Sequence, residues 1–255
     1  MKYGMYLAAA GALGSMYRQD VLSNNLANLN TVGFKPDSVV MQQTAPERIQ
    51  SGAMTPPKLV LEQLGGVVQS APSRPNLTQG EVRNSANPFD MAIEGDGFFT
   101  VGGGDDPADI RLTRDGRMTR DTTGQLVTIT GGLPVLDDRG QPIMLAGQGD
   151  VTVDDQGFVS QGGQAVARIG LASPEQALDL KKVGANLFQL RDGAILSAER
   201  PAGRVRANSV EGSAVDPIST MTALMSAAKS ANANIKMMQF HDYLTGQAVN
   251  VLGRI

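Results

Sequence analysis

Apolar and small residues recur at helical spacing over the first 29 positions of the chain. One set follows the three- and four-residue steps of a packing seam: Met5, Ala9, Ala12, Met16, Ser23 and Leu26. Gln19 interrupts this seam, and residues 2–29 contain no Pro. The segment Asn28–Gly33 then ends the helix, because Asn and Gly tolerate the left-handed conformation, and Pro36 prevents its resumption.

A second long helical pattern occupies the C-terminal end of the chain. Asp216 is placed to cap the helix start, and Pro217 suits its first turn. One face carries a seam with Asp242 as its charged intruder: Leu224, Ala228, Ala231, Ile235, Met238, Thr245, Val249 and Leu252. A helix of about 36 residues would be about 54 Å long. That length exceeds what a compact domain of this size usually buries.

Short β-prone runs separated by turns occupy the centre of the chain. Phe89, Met91 and Ile93 alternate with other residues, and Phe98 to Val101 resumes an extended run after a glycine-bearing turn. Further turns recur between such runs at Asp115-Gly116, Thr123-Gly124, Gly131-Gly132, Arg139-Gly140 and Gln156-Gly157. This spacing predicts hairpins arranged as an antiparallel sandwich or a barrel.

The three patterns together predict an α+β fold. The long terminal helices pack together as a coiled-coil-like inner domain, and the central domain is β-rich and built of hairpins. The predicted boundaries are 1–35 for the N-terminal helix, 36–79 for an extended arm or loop, 80–209 for the β-rich domain, and 210–255 for the C-terminal helix. The role of residues 36–70 stays open, although an arm against adjacent subunits is a plausible function.

Each terminal helix carries a seam, and the sequence predicts no further helices that could cover the two seams. A two-helix pair leaves much of each seam exposed, and helices in water depend on such packing. The simplest solution is that copies of the chain complete the burial. A repeated interface that does not close on itself produces a helical filament.

Composition removes several classes of function. The 22 basic and 25 acidic residues give a net charge of −3, which does not favour nucleic-acid binding. The absence of Cys excludes disulfides and thiolate sites. No run is long and apolar enough to predict a membrane-spanning helix. The first 17 residues superficially resemble a signal peptide, but the single Lys and the continuing helix favour an uncleaved segment.

Candidate chemistry is sparse. His241 is the only His, and its neighbour Asp242 does not share its helix face, so we expect neither a catalytic site nor a metal site there. The run Glu94–Gly97 is better interpreted as a hairpin turn than as a calcium loop, because the ligand spacing of such a loop is missing. We therefore predict no catalytic residues, no cofactor and no metal.

Three segments resemble the flagellar axial proteins, the family of rod, hook and hook-filament junction proteins. Residues 23–35 read SNNLANLNTVGFK, and residues 87–101 read NPFDMAIEGDGFFTV, which is similar to the rod and hook signature. Residues 112–127, LTRDGRMTRDTTGQLV, resemble the hairpin that follows it. The C-terminus departs from the family pattern, since residues 210–215 read VEGSAV and SAAKSANANIKMM replaces the usual Gln-Arg-aromatic element. Contacts of that helix between subunits are therefore less securely implied.

The resemblance implies a structural subunit of the basal-body rod, not an enzyme. It implies terminal helices that fold on assembly around an export channel, and type III export without a cleaved signal. It also implies helical homo-oligomers that span the periplasm, transmit torque and contact other rod and hook subunits and the bushing rings. The residues that would hold the N-terminal helix against neighbouring subunits are Asn25, Leu26, Asn28, Gly33 and Phe34, with Phe34 as a buried anchor.

Length and the resemblance carried by the run QGEVRNSANPFDMAIEGDGFF favour a distal or proximal rod protein over the longer hook protein. Between the two rod positions we favour the distal one, with a proximal rod or hook-type protein as the alternative. Two other hypotheses stay open. One is a secreted β-sandwich enzyme with helical ends, which predicts a pocket of convergent titratable groups and a stable folded monomer. The other is a non-flagellar coiled-coil scaffold, which predicts closed oligomers and no polymerisation.

Overall fold

The computed structural model describes residues 2–43, 68–70, 73–102, 109–145, 147, 149–174, 180–191 and 203–252. Much of the predicted arm, residues 44–67 and 71–72, lies outside this part. The chain forms two compact units, one comprising Met1–Ala27, Asp37–Arg74 and Asp216–Ile255, and the other Asn28–Pro36 and Pro75–Val215. The predicted α+β fold, with packed terminal helices and a central region of β-hairpins, is confirmed. The predicted domain boundaries stay a prediction.

The first unit contains the two long helices, α1 (Lys2–Ala27) and α2 (Pro217–Leu252). A turn at Asn28–Asn30 follows α1, as the sequence predicts. The cap of α2 is also confirmed, because the Ile218 amide donates to Asp216 Oδ1 over 3.2 Å. Pro217 occupies the first helical position, where its missing N–H costs nothing.

The two helices pack antiparallel through small residues. The Cβ position of Gly4 lies 3.0 Å from the His241 ring, and that of Gly11 lies 3.0 Å from the Asn234 amide. Between them Ala8 is buried, with 6% exposure. Ser15 Oγ hydrogen bonds to Ser230 Oγ over 3.1 Å. Glycine, alanine and serine allow the backbones to approach closely, so the small-residue face of α1 is buried against α2.

Short strands accompany the helices: β1 (Asp37–Ser38), β2 (Met41–Gln43), β3 (Val68–Ser70) and β4 (Arg74–Pro75). β2 and β3 pair antiparallel, with Met41 opposite Ser70. The side chain of Asn25 in α1 is buried and makes two hydrogen bonds to the backbone of Asp37, at 2.9 and 3.0 Å. These bonds tie the end of the helix to the chain that follows it.

The second unit holds the remaining fourteen strands of the described residues. They are β5 (Val82–Asn84), β6 (Met91–Glu94), β7 (Phe98–Gly102), β8 (Ile110–Thr113), β9 (Met118–Arg120), β10 (Leu126–Thr128), β11 (Val151–Val153), β12 (Phe158–Gln161), β13 (Gln164–Arg168), β14 (Leu171–Ala172), β15 (Leu180–Gly184), β16 (Leu187–Leu190), β17 (Arg204–Ala207) and β18 (Ser209–Glu211). A five-stranded antiparallel sheet has the order β14-β7-β8-β16-β15, and β11-β12-β13 form a second sheet. The pairs β9–β10, β6–β17 and β5–β18 complete the pairing.

One predicted hairpin is wrong. The turn at Gly95–Gly97 forms, but β6 pairs with β17 while β7 pairs with β8 and β14. The turn therefore joins strands of different sheets. The physical reason is that β6 finds its partner more than 100 residues further along the chain, a pairing that local spacing does not reveal.

Apolar side chains fill both faces of β7. Phe99 belongs to the larger core, together with Met91, Ile93 and Val101. Phe98 points to the other face and packs edge-on against Phe188, with ring centroids 5.4 Å apart. The strand is thus buried on both sides, which explains its continuous apolar run.

Three hairpin turns of the second unit repeat one design. Asp121, Asp137 and Asp154 each accept hydrogen bonds from the amides two and four residues later, at 2.7–2.9 Å. The residue three positions after each Asp is a glycine with φ between +76° and +88°. The carboxylate closes the turn from inside, and glycine supplies the left-handed conformation at low cost. The turns predicted at these three glycines are confirmed.

Candidate assembly surface

Large apolar side chains are exposed along both helices of the first unit. On α1 they are Met5, Tyr6, Leu7, Leu13 and Met16, and on α2 they are Ile218, Met221, Met225, Met237, Phe240, Tyr243, Leu244 and Val249. Several are more than half exposed, among them Tyr6 at 71% and Ile218 at 77%. Exposed apolar side chains in this number along two paired helices favour an interaction site.

The most exposed residues of α1, Tyr6 and Leu13, lie on the face away from α2. Tyr6 and Leu13 are seven positions apart and therefore share one face of the helix. The buried Ala8 and Ser15 occupy the opposite face, where Ser15 contacts Ser230. The α1–α2 pairing consequently leaves an outer apolar stripe that the described residues do not cover.

The outer face of α2 is divided by two exposed lysines. Ile218, Met221 and Met225 form an apolar group in the first turns of the helix. Lys229 and Lys236 follow on the same face. A second apolar group then comprises Met237, Phe240, Tyr243 and Leu244. A surface that alternates apolar and cationic groups favours a partner that is apolar and carries carboxylates or carbonyl groups at defined positions.

The predicted seam residues are distributed over several environments. On α1, Ala12 is buried, Ala9 and Leu26 are half-buried, and Met5 and Met16 are exposed. On α2 the half-buried members are Leu224, Ala228, Ile235 and Met238, and Val249 is 66% exposed. Leu252 is the last helical residue, and its side chain lies outside the described part. Their contacts with other copies stay a prediction.

The predicted anchoring residues after α1 are held by the chain's own structure. Asn25 is buried against Asp37 in the first unit. The others belong to the docked segment, by which we mean Asn28–Pro36 in the second unit. Within it Asn28 accepts a hydrogen bond from the Thr31 hydroxyl at 3.1 Å, and Gly33 is buried. Phe34 is 7% exposed, which agrees with its predicted burial.

The docked segment is held by backbone hydrogen bonds to the chain that precedes α2. The Gly33 amide donates to the carbonyl oxygen of Glu211 over 2.7 Å, and the Ala214 amide donates to the carbonyl oxygen of Phe34 over 3.1 Å. The flanks of the two helices, remote in sequence, are thereby joined inside one unit.

The β15–β16 hairpin holds the other side of the docked segment. Its Asn186 side chain donates to the carbonyl oxygen of Val32 over 2.9 Å. The Lys182 ammonium donates to the carbonyl oxygen of Lys35 over 2.5 Å and lies 4.6 Å from the centre of the Phe34 ring. A cation over an aromatic face adds an electrostatic attraction to the packing.

A buried ion cluster forms the centre of this arrangement. Glu211 is fully buried, and its Oε1 accepts from the Lys35 ammonium at 2.6 Å and from the Gly80 amide at 2.8 Å. Its Oε2 accepts from Arg114 Nη1 at 3.0 Å. Lys35 also donates to the carbonyl oxygen of Thr78 over 2.7 Å. The Lys35 ammonium and both carboxylate oxygens of Glu211 thus have hydrogen-bond partners, as buried charges require, whereas Arg114 Nε is buried without one.

The cluster contains one carboxylate, Glu211, and its negative charge stabilises the buried positive charges of Lys35 and Arg114. Burial lowers the pKa of the Lys35 ammonium below its usual range, while the charge of Glu211 and its hydrogen bond oppose that shift. Sequence reasoning missed the cluster. A Lys between Phe34 and Pro36 and a Glu shortly before Asp216 were visible, but nothing in local spacing shows that they meet.

The described residues contain neither a candidate metal site nor a candidate membrane-spanning helix. Within the described ranges no three His, Asp or Glu side chains are grouped so that they could hold a metal ion. No helix there has the length and apolar character needed to cross a lipid bilayer.

Three stretches of the chain match known families. Residues 16–35 match the family described as flagella basal body rod protein, and residues 92–161 match the D1 domain of the flagellar hook proteins FlgE/F/G. Residues 206–251 match the C-terminal family of the flagellar basal body rod FlgEFG proteins. These ranges include the start of the docked segment, the repeated turns and α2.

Relatives resemble the chain over nearly its full length. The flagellar basal-body rod protein FlgF of Caulobacter vibrioides is 34% identical, with 100% of both chains covered. FlgG of the same organism is 29% identical over 93% of this chain and 94% of the relative. FlgG of Bacillus subtilis is 28% identical over 98% and 99%.

Proposed function

The chain belongs to the flagellar basal-body rod protein family, and we propose that its two helices assemble with further copies of the same chain through their outer apolar faces. The family is structural, so the protein is a structural subunit of the flagellar rod and not an enzyme. Its location is the flagellar basal body.

The exposed apolar surface carries the proposal for self-assembly. In a single chain, water would remain in contact with Tyr6 and Leu13 on α1 and with the two apolar groups on α2. Each Å² of apolar surface left in water costs about 25 cal/mol of free energy relative to its burial. Sister copies supply the same kind of surface in a repeating arrangement, and a repeated heterologous contact grows into a helical filament. Many modest contacts then add up to a stiff shaft able to transmit torque.

Similarity to the relatives supports a proposal for the position in the rod. We favour the proximal, FlgF-type position, because FlgF of Caulobacter vibrioides is more similar to this chain than FlgG of the same organism, at 34% against 29% identity. The distal, FlgG-type position, which the sequence alone favours, is the second candidate, and the 28% identity to FlgG of Bacillus subtilis over 98% of this chain supports it. The test uses two strains, one lacking FlgF and the other lacking FlgG. Restored motility in the first strain indicates the proximal position, and restored motility in the second indicates the distal position.

The remaining parts of the proposal concern export and partners. We propose that the chain leaves the cell through the flagellar type III apparatus without a cleaved signal, spans the periplasm in the assembled rod, and encloses the export channel. Other rod and hook subunits, and the bushing rings around the rod, are the proposed neighbours. Mass spectrometry of the N-terminus of the assembled subunit tests the export route, since retention of residues 1–17 is expected.

Charge substitutions on the outer faces test the assembly surface. Leu13→Asp and Met225→Asp should prevent filament growth and abolish motility, because each buries a carboxylate in an apolar contact. Met144→Asp is the matched control, since Met144 is 50% exposed but lies in the second unit. Electron microscopy of concentrated protein and swimming assays provide the measurements. Normal filaments in both helix variants would refute this surface.

Circular dichroism tests whether assembly completes helix formation. Full-length monomer is compared with variants lacking residues 1–27 or 216–255, cut at the edges of the helices and outside the docked segment. A low helix content in the dilute monomer that rises on polymerisation supports coupled folding. Full helix content in a dilute monomer that never polymerises would instead support a self-contained scaffold.

A further inference from the structure

The docked segment contains one charged side chain, Lys35, which binds to the rest of the second unit. Lys35 brings a positive ammonium into a site that already holds Arg114 and Glu211. Lys35 and Arg114 bring two buried positive charges, and the Glu211 carboxylate is bonded to both of them. The Lys35 and Glu211 side chains are both fully shielded from solvent.

Removing the negative charge would leave two buried cations facing each other. Arg114 donates to the carbonyl oxygens of Ile93 and Gly95, at 3.4 and 2.7 Å. Its guanidinium carbon also lies 5.2 Å from the centre of the Phe98 ring, so it is held in place. Lys35 lies on a nine-residue segment that can leave as a unit. An uncompensated buried ammonium is strongly unfavourable, so the segment is the part that moves.

Release of the segment would break the bonds that join the chain after α1 to the chain before α2. While Gly33 is bonded to Glu211, about 10 residues connect the end of α1 to the start of α2 through that bond. Without it the chain after α1 is still held by the bonds of Asn25 to Asp37 and by the pairing of β1 with β4, but it no longer meets the chain that precedes α2.

We propose that Glu211 is a positioning residue that acts as a charge-dependent clasp, keeping the docked segment seated only while its carboxylate is negative. The clasp keeps the chain after α1 bonded to the chain before α2, through Gly33 with Glu211 and Ala214 with Phe34. Its consequence for the rod rests on the proposed function, whereas the clasp itself concerns the single chain. The two claims therefore need separate measurements.

Amide hydrogen exchange on the full-length protein tests the clasp directly. Glu211→Gln should accelerate exchange at the Gly33 and Ala214 amides at least tenfold. The amides of Val135 and Ile143, which are hydrogen bonded in the larger core, should change less than threefold. Glu81→Gln is the control, because Glu81 forms an ion pair with Arg83 but is 72% exposed.

A second substitution distinguishes the clasp from a general loss of stability. Lys35→Met removes the charge that needs compensation, so the double variant Lys35→Met with Glu211→Gln should return Gly33 exchange to within threefold of wild type. If Glu211 served only to hold Arg114 in the core, Lys35→Met could not restore protection. A double variant that stays unprotected or unfolded overturns the proposal. So does a single Glu211→Gln variant that exchanges like wild type, or whose core amides accelerate as much as Gly33.

Complementation separates this inference from the proposed function. In a rod-null strain that the wild-type chain restores to motility, Glu211→Gln should reduce the swimming diameter and the double variant should restore it. If the wild-type chain fails to restore motility, the proposed function is refuted while the exchange data still decide the clasp. Equal motility of all variants with the expected exchange pattern would overturn the link between the clasp and assembly.

Discussion

Gly33 lies directly against the backbone of Arg114. A Cβ atom on Gly33 would come within 2.4 Å of the Arg114 carbonyl carbon and 2.5 Å of the Asp115 nitrogen. The φ of Gly33 is +68°, in the left-handed region that side chains disfavour. Two independent restrictions therefore require glycine at the point where the docked segment passes over the β8–β9 connection.

Replacing Gly33 by alanine should cost about 3 kcal/mol of unfolding free energy, because the backbone strain and the steric clash add. Gly132→Ala is a matched control, since its φ is +63° and nothing lies within 4 Å of its Cβ position. The control should lose only about 1 kcal/mol. Urea unfolding of both variants measures the difference. Equal losses would show that the clash is relieved by a small shift.

The turn at Asp121 should give a pH-dependent contribution to stability. The Gln125 amide, followed by the Thr123 hydroxyl, donates to this carboxylate and lowers its pKa below the usual value. A lowered native pKa means that the unfolded chain takes up the proton first as pH falls. The stabilisation is therefore fully present above pH 4 or so and is lost as pH falls through the native pKa.

Asp121→Ala should consequently unfold at lower urea concentration than wild type near pH 7, and the difference should shrink at acid pH. Asp121→Asn retains one acceptor oxygen and should fall between the two at pH 7. Urea midpoints from pH 7 down to pH 2 give the comparison. A difference that stays constant over that range would contradict a role for the ionised carboxylate.

Local sequence patterns predicted the helices and turns because their determinants are close in the chain. Asp216 with Pro217 marks the start of α2, and glycines such as Gly124 mark hairpin turns. These features depend on hydrogen bonds within four residues. The burial of Phe34 was implied by the resemblance to the flagellar axial proteins, and the structure agrees with it.

Features that depend on distant partners were not predictable in this way. β6 pairs with β17, and Lys35 meets Glu211 across 176 positions. A Lys or Glu is normally solvated, so its residue type argued against burial. The outer stripe on α1 was also displaced from the predicted seam, because Gly4 and Gly11 made the small-residue face the one that pairs with α2.

The cap of α2 offers a local test of helix stability. Asp216→Ala removes the acceptor for the Ile218 amide and should cost about 1 kcal/mol. Helix content measured at 222 nm should fall, and the unfolding temperature of the first unit should decrease. Asp216→Asn preserves an acceptor and should retain most of the stability. An unchanged helix signal in Asp216→Ala would mean that packing alone defines the start of α2.

The close approach of the helices at Gly11 should be sensitive to side-chain volume. Its Cβ position lies 3.0 Å from the Asn234 side-chain nitrogen, so Gly11→Leu must push the helices apart. Overpacking of this kind costs about 1–3 kcal/mol, which exceeds the gain of about 0.8 kcal/mol from better helix propensity. Gly246→Leu supplies the opposite case, because Gly246 lies in α2 with nothing within 4 Å of its Cβ position. Thermal melts followed at 222 nm should therefore show a lower midpoint for Gly11→Leu and a higher one for Gly246→Leu. If both variants raised the midpoint, propensity would outweigh packing and the antiparallel register through Gly11 and Asn234 would be refuted.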